Sequence, residues 1–137
     1  MIEIINRQSK FPVNEGKFRR LLEALSRRCR LKNPELTLAL VGDRAITSLN
    51  RKYRKKDKPT DVLSFPVGEK AADGKFYLGD IIISVPQAFR QSRAAGHSLE
   101  RELVLLIIHG FLHLAGFRHG RGIEREDEKM RKALLED

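Results

Sequence analysis

The chain has 137 residues, and its 27 Lys and Arg against 18 Asp and Glu give a formal net charge of +9, which favours polyanions such as nucleic acids as partners. Its single cysteine excludes an internal disulfide, and the N-terminal residues lack the apolar core of a signal peptide, so we expect one cytoplasmic domain. A membrane span needs about 20 apolar residues. The longest apolar run, residues 103–108, is far shorter, so a soluble protein without membrane association is expected.

The first half of the chain alternates between strand and helix patterns. Cys29 continues the apolar stripe of the first predicted helix, and we therefore interpret it as core packing rather than as a ligand or a nucleophile. Asp43 stands directly before an amphipathic segment and is a predicted N-cap. The predicted elements are strands at residues 2–5 and 35–42 and helices at residues 14–30 and 43–54.

The second half begins with two strand patterns separated by Asp73 and Gly74, a turn signal that predicts an antiparallel pair. Gly96 can end the next helix, and Ser98 can cap a helix that is apolar almost all round and is therefore expected to be surrounded by protein. The whole order predicts an α+β fold in which a mixed sheet of about four strands packs with about five helices, with the strand order left open. The predicted elements are strands at residues 62–67 and 78–85 and helices at residues 86–95, 99–115 and 123–136.

Three of the four histidines lie close together in the pattern H-x-x-x-H-x-x-G-x-x-H. His109 and His113 are four residues apart on a predicted helix, so their Cβ atoms lie about 5–6 Å apart on one face. Gly116 suits a left-handed turn that ends the helix, after which His119 can reach the same ion. The spacing equals that of the zinc ligands in metzincin proteases, and it predicts a zincin-like site for one Zn²⁺. Nickel, copper or iron are alternatives for the same nitrogen ligands.

Each histidine taken alone could be a hydrogen-bonded core residue. Three imidazoles in one apolar segment favour metal binding instead, because one shared ion satisfies a nitrogen on each ring. His97 lies outside the pattern, and we interpret it as structural or as a substrate contact. Gly110 occupies the place where metzincins carry the glutamate that activates water, which disfavours proteolysis unless Asp80 or another carboxylate replaces it.

The densest basic run lies at the end of the second predicted helix and in the turn after it. A solvated face is the usual explanation of such a run. Because this one accompanies a metal site in a basic chain, we favour a phosphate-binding rim. Aromatic residues that could stack on bases are few, and sequence-specific readout is not expected. The basic residues are Arg51, Lys52, Arg54, Lys55, Lys56 and Lys58, and the aromatic candidates are Tyr53, Phe65, Phe76, Tyr77 and Phe117.

Four segments together resemble the YbeY family of bacterial rRNA maturation factors. The stretch HGFLHLAGFRHG at residues 109–120 is similar to the family's histidine signature. The other three segments are LNRKYRKKDKPTDVLSFP at 49–66, LGDIIIS at 78–84 and GHSLERELVLLIIHG at 96–110. They follow the family's order and lie within residues 49–120, which make up about half of the chain.

The resemblance implies one α+β domain with zinc on His109, His113 and His119, and a metal-dependent, single-strand-specific endoribonuclease. The family acts in 3′-end maturation of 16S rRNA and in ribosome quality control, so rRNA, ribosomal particles and ribosomal proteins are the implied partners. The family's functional arginine falls on Arg54, which is the implied catalytic residue. Arg118 stands where the family has an aspartate, which puts catalytic efficiency in doubt. The alternative is a ribosome-assembly factor that binds rRNA with a mainly structural zinc.

Overall fold

A computed structural model describes residues 1–117, 120 and 122–135 of the chain and shows a four-stranded sheet with helices around it. The strands are β1 (Ile2–Asn6), β2 (Glu35–Val41), β3 (Val62–Lys70) and β4 (Phe76–Ser84). The helices are α1 (Glu15–Arg28), α2 (Asp43–Arg54), α3 (Val85–Ala95), α4 (Leu99–Leu114) and α5 (Ile123–Leu134). These elements confirm the predicted α+β class, with a mixed sheet of four strands and with five helices in one domain.

The strand order, which the sequence left open, is β1-β2-β4-β3. Strands β1, β2 and β4 run parallel, whereas β3 pairs antiparallel with β4, as predicted. A helix lies in each connection between parallel neighbours, since parallel strands need a long crossover. A short turn joins β3 to β4, and Gly74 adopts a φ of +88° there. Because β3 is the last strand in this order, it is an edge strand and can border a groove.

Apolar clusters cover both faces of the sheet. The larger core joins one face to α1 and α4, and the smaller cluster of Val41, Ile46 and Leu63 joins the other face to α2. Helix α4 contacts β3, β4, α1, α3 and α5, which explains why its sequence is apolar almost all round. In this described part of the chain, no helix combines the length and the apolar character that crossing a membrane requires.

The helix-end signals around α4 are confirmed. Gly96 ends α3 in a left-handed conformation with a φ of +74°. Ser98 caps α4, because its hydroxyl oxygen accepts a hydrogen bond from the backbone N–H of Arg101. These two residues turn the chain sharply between α3 and α4, and this turn fixes where α4 starts across the sheet.

Asp43 does not cap α2, contrary to the prediction. The N-cap is Gly42, and the Asp43 carboxylate instead accepts hydrogen bonds from Ser84 Oγ at 2.7 Å and Arg90 Nη2 at 2.6 Å. The sequence could not reveal this, because both partners are more than 40 residues away. Burial alone would raise the pKa of Asp43, but the hydrogen bonds from Ser84 and Arg90 and the charge of Arg90 lower this pKa below its ordinary value.

Cys29 is half-buried and packs against the larger core, as the apolar stripe of α1 predicted. Burial raises the pKa of its thiol, and the nearby Glu126 carboxylate raises it further, against the opposing effect of Lys129. The thiol therefore stays protonated near neutral pH, which is typical of a packing cysteine and not of a nucleophile.

Candidate functional site

A groove of about 820 Å³ runs beside edge strand β3, between helix α4 on one side and the end of α2 on the other. It brings together the histidine pair of α4 and the predicted arginine of α2, which are more than 50 residues apart in the sequence. The lining residues are Tyr53, Arg54, residues 60–65, Glu102, Leu105, Leu106, His109, His113 and Arg131.

His109 and His113 lie one turn apart on α4 and direct the same ring nitrogen toward each other. Their Nε2 atoms are 3.2 Å apart, and their ring planes meet at 80°. Two nitrogens that bind one tetrahedral zinc at about 2.0–2.1 Å lie roughly 3.3 Å from each other. The pair therefore fits two ligands of one metal ion.

The third predicted ligand, His119, lies outside the described residues, as does Arg118. The turn that leads toward them is described, and Gly116 adopts the predicted left-handed conformation with a φ of +99° directly after α4. Among residues 1–117, 120 and 122–135, no three His, Cys, Asp or Glu side chains are grouped closely enough to hold a metal ion. His119 therefore stays a predicted ligand, supported by its spacing.

Asp127 of α5 approaches the other ring nitrogen of His109. Its Oδ2 atom lies 3.7 Å from His109 Nδ1, which is too long for a hydrogen bond and short enough for electrostatic attraction. Arg131, one turn further along α5, holds the same carboxylate with two nitrogens at 3.0 and 3.1 Å. Such a carboxylate typically orients a metal-binding imidazole.

Asp127 was not predicted as a site residue, although the sequence contains a signal for it. Asp127 lies on the stripe of α5 formed by Ile123, Met130 and Leu134, so it places a carboxylate on the face that packs against the core. A carboxylate on such a stripe needs a partner inside the protein.

His97 pairs with Glu102, and this pair reaches the groove. His97 Nε2 lies 2.6 Å from Glu102 Oε1, and both side chains are largely buried. Glu102 lines the groove two helical turns before His109 on the same face of α4. His97 therefore has a structural role that also affects the groove, because it holds a carboxylate that lines the groove.

Gly110 packs directly against the sheet, which explains why no glutamate stands after the first histidine. A Cβ atom at Gly110 would lie 2.9 Å from Ile81 Cγ2 and 3.2 Å from Ser64 Oγ. Successive residues of a strand point to opposite faces, so Asp80 lies on the face away from α4, since its neighbour Ile81 contacts α4. Neither position supplies the carboxylate of a metzincin protease.

Arg54 ends α2, and its exposed side chain lines the groove. Within the described ranges, no carboxylate forms an ion pair with its guanidinium. The rest of the basic run is also exposed, and Arg51 binds Asp57 at 2.9 Å across the turn. Of the residues from Arg51 to Lys58, Tyr53 and Arg54 are therefore the ones that line the groove together with the histidine pair.

The comparison with protein families agrees with this site. A family model described as Endoribonuclease YbeY matches residues 3–136 of the chain. This chain belongs to the YbeY family. The match spans all five helices and three complete strands, together with most of β1.

Two YbeY relatives match this chain over most of their own length. The chain is 44% identical over 129 residues to Endoribonuclease YbeY of Aquifex aeolicus, covering 94% of this chain and 85% of that protein. It is 45% identical over 144 residues to Endoribonuclease YbeY of Moorella thermoacetica, covering 96% and 92%. The fold is similar to the solution structure of a Thermotoga maritima protein, with a TM-score of 0.64 at 27% identity, covering 96% of this chain and 87% of that one.

Proposed function

We propose that this chain is a zinc-dependent endoribonuclease that cleaves single-stranded RNA. The observation that supports this most directly is the groove in which two facing imidazole nitrogens and Arg54 border the same space. The relatives named Endoribonuclease YbeY and the net charge of +9 support an RNA substrate. We further propose that it acts in the cytoplasm, in 3′-end maturation of 16S rRNA and in ribosome quality control, in contact with ribosomal particles and ribosomal proteins.

Three histidines would hold the zinc: His109, His113 and His119. When bound, zinc supplies a Lewis acid that polarises a phosphoryl oxygen or activates water. Arg54 binds the phosphodiester through its forked guanidinium and neutralises the charge that develops on it during cleavage. Asp127 attracts the Nδ1 side of His109, and this keeps Nε2 directed toward its partner on His113.

Two carboxylates also face the groove and are held in fixed positions. Asp61 accepts hydrogen bonds from the Val62 backbone N–H and from Gln91, and Glu102 pairs with His97. Their negative charge disfavours an RNA phosphate at these two positions, whereas the positive charge of Arg54 attracts one.

The test combines metal analysis with cleavage of a single-stranded fragment from the 3′ end of small-subunit rRNA. We expect about one zinc per chain, cleavage of the single strand, and no cleavage of the same fragment after annealing to its complement. If the zinc-loaded protein leaves the RNA intact while it binds ribosomal particles, the assembly-factor alternative replaces the endoribonuclease. Cleavage of peptides is not expected, because Gly110 stands where metzincin proteases have the glutamate that activates water.

A further inference from the structure

An aromatic ring stands exposed in the wall of the groove opposite the histidines. Tyr53 is 56% exposed, which places it among the exposed large apolar side chains of the described residues. Its ring centroid lies 5.2 Å from that of Phe65 at an interplanar angle of 66°, an edge-on contact that fixes the ring at one side. Lys52 Nζ lies 5.2 Å from the same ring, and this exposed lysine can move away or bind a phosphate.

The backbone that carries Tyr53 is held firmly. Asn50 is 1% exposed, and its Nδ2 atom donates a hydrogen bond at 2.9 Å to the carbonyl of Lys58. Two backbone hydrogen bonds, from Lys55 to Arg51 and from Lys56 to Asn50, close the end of α2. The aromatic ring and the guanidinium of the next residue are therefore presented from a rigid helix end.

The two walls of the groove are also connected to each other. Ser64 of β3 donates a hydrogen bond at 3.3 Å to the carbonyl of Gly110 on α4. Phe65, the next residue of β3, points to the opposite side of the strand and contacts the ring of Tyr53. A chain that follows the edge of β3 therefore meets the histidines on one side and the exposed ring on the other.

We propose that Tyr53 is a stacking platform for one nucleobase of the bound RNA, beside the phosphate that Arg54 binds. This inference rests on the proposed RNA substrate. An exposed aromatic ring in a basic groove binds bases of single strands, because every base has a flat face. A paired base inside a duplex cannot present that face, so Tyr53 is a source of selectivity for single strands. Purines stack more strongly than pyrimidines, which predicts a modest purine preference at this position.

The competing explanation is that Tyr53 only packs against Phe65. Three substitutions separate the two: Tyr53→Phe keeps the flat ring, Tyr53→Leu keeps apolar packing without a ring, and Tyr53→Ala removes both. Leucine is the decisive variant, because it preserves a contact with Phe65 and cannot stack on a base. Melting temperatures of all three show whether any of them loses the fold.

The chain provides its own fluorescent probe, since it has two tyrosines and no tryptophan. The second tyrosine, Tyr77, lies on β4 opposite Glu35 and Glu69 and is not part of the groove lining. Tyr77→Phe therefore leaves Tyr53 as the single tyrosine and is expected to cleave RNA like the wild type. In the control variant, Tyr53→Leu, Tyr77 is the single tyrosine. Any loss of its emission measures the absorption of light by the added RNA.

The experiment titrates oligoadenylate and oligouridylate into these proteins and follows tyrosine emission, with a gel to measure how much of the RNA is cleaved during the titration. We expect quenching in Tyr77→Phe beyond that in Tyr53→Leu. We expect Tyr53→Leu and Tyr53→Ala to bind oligoadenylate roughly 5- to 150-fold more weakly, and Tyr53→Phe to bind like the wild type. The adenylate preference should disappear with the ring.

Two results would overturn the inference in distinguishable ways. If the wild type binds and cleaves single-stranded RNA while Tyr53→Leu binds it equally well, Tyr53 is a packing residue and the endoribonuclease proposal stands. If wild type and Tyr77→Phe neither bind nor cleave RNA, the proposed substrate and the stacking site both fail.

Discussion

The two walls of the groove differ in how closely their chemistry is joined to the core. His109 and His113 are partly buried on α4, which has nine buried residues and touches five other elements, so the helix that holds them is part of the core. Tyr53 and Arg54 end α2, where the last four residues are all exposed. Substitutions on the α4 wall should therefore change stability and function together, whereas substitutions on the α2 wall should change function alone.

The largest effect should follow His113→Ala, which tests the α4 wall. We expect most of the bound zinc to be lost, because two remaining ligands rarely hold the ion, and RNA cleavage to fall to background. The melting temperature should fall as well, since loss of a ligand that binds the native state lowers stability. Metal analysis, a cleavage assay and thermal melting check these outcomes. Unchanged zinc content would contradict the assignment of the site.

Arg54→Ala should have the next largest effect on RNA cleavage, and it tests whether the α2 wall affects function without affecting stability. We expect cleavage to fall about 100-fold, the usual loss when one group that stabilises a transition state is removed. Zinc content and melting temperature should stay at wild-type values, because the side chain is exposed. Lysine should recover only part of the activity, since it lacks the forked geometry.

The matched control for Arg54 is Arg51→Ala, on the same helix and with the same change in charge. Arg51 binds Asp57 and does not line the groove, so its loss should leave cleavage near the wild-type rate. Equal losses of cleavage in the two variants would mean that only the total positive charge of this segment matters, and the specific role of Arg54 would be abandoned.

Gly110→Ala should destabilise the fold, against the usual trend for helices. Alanine in place of a helical glycine normally stabilises by about 1 kcal/mol. Here the new Cβ would press on Ile81 and Ser64, and overpacking of this kind costs about 1–3 kcal/mol. Urea denaturation measures the free energy of unfolding. The control is Gly16→Ala in α1, where the nearest atom is the flexible end of Arg20 at 3.4 Å and stabilisation is expected.

Asp127→Asn should weaken zinc binding by about 10-fold, at the lower end of the usual range for residues that orient a ligand, because the carboxylate is 3.7 Å from His109. Glu128→Gln is the control, since it removes the same charge from the neighbouring residue, which pairs with Lys132 on the exposed side of α5. Competition with a chromophoric chelator measures both affinities. An equal effect in the two variants would exclude a local role for Asp127.

The smallest effect concerns Asp43, at the end of α2 away from the groove. Its pKa in the folded protein is lowered, so its contribution to stability is present above the unfolded pKa of about 3.9 and is lost as the pH falls through the folded value. Asp43→Asn should therefore lower the free energy of unfolding at pH 7, within about 1 kcal/mol for an exposed pair. This difference should shrink below pH of about 4. A constant difference from pH 7 to pH 3 would contradict the assignment.

The sequence by itself determined the features that depend on neighbouring residues. The helix bounds followed to within two residues from apolar spacing and from local ends such as Ser98 and Gly96, and the histidine pair followed from two residues on one helical turn. The antiparallel pairing of β3 and β4 could be predicted because a short turn joins them. In each case the interacting groups are close in the chain, so their geometry is set by backbone periodicity and turn chemistry.

Only the tertiary structure decided the features that depend on distant parts of the chain. Strand β4 lies between β2 and β3, and Asp127 lies beside His109. Asp43 accepts hydrogen bonds from Ser84 and Arg90. Tyr53 packs against Phe65 and lines the same groove as the histidines. Local spacing does not identify the partners in these contacts, because they meet only when α2, α4 and α5 pack on the sheet and bury their apolar faces together.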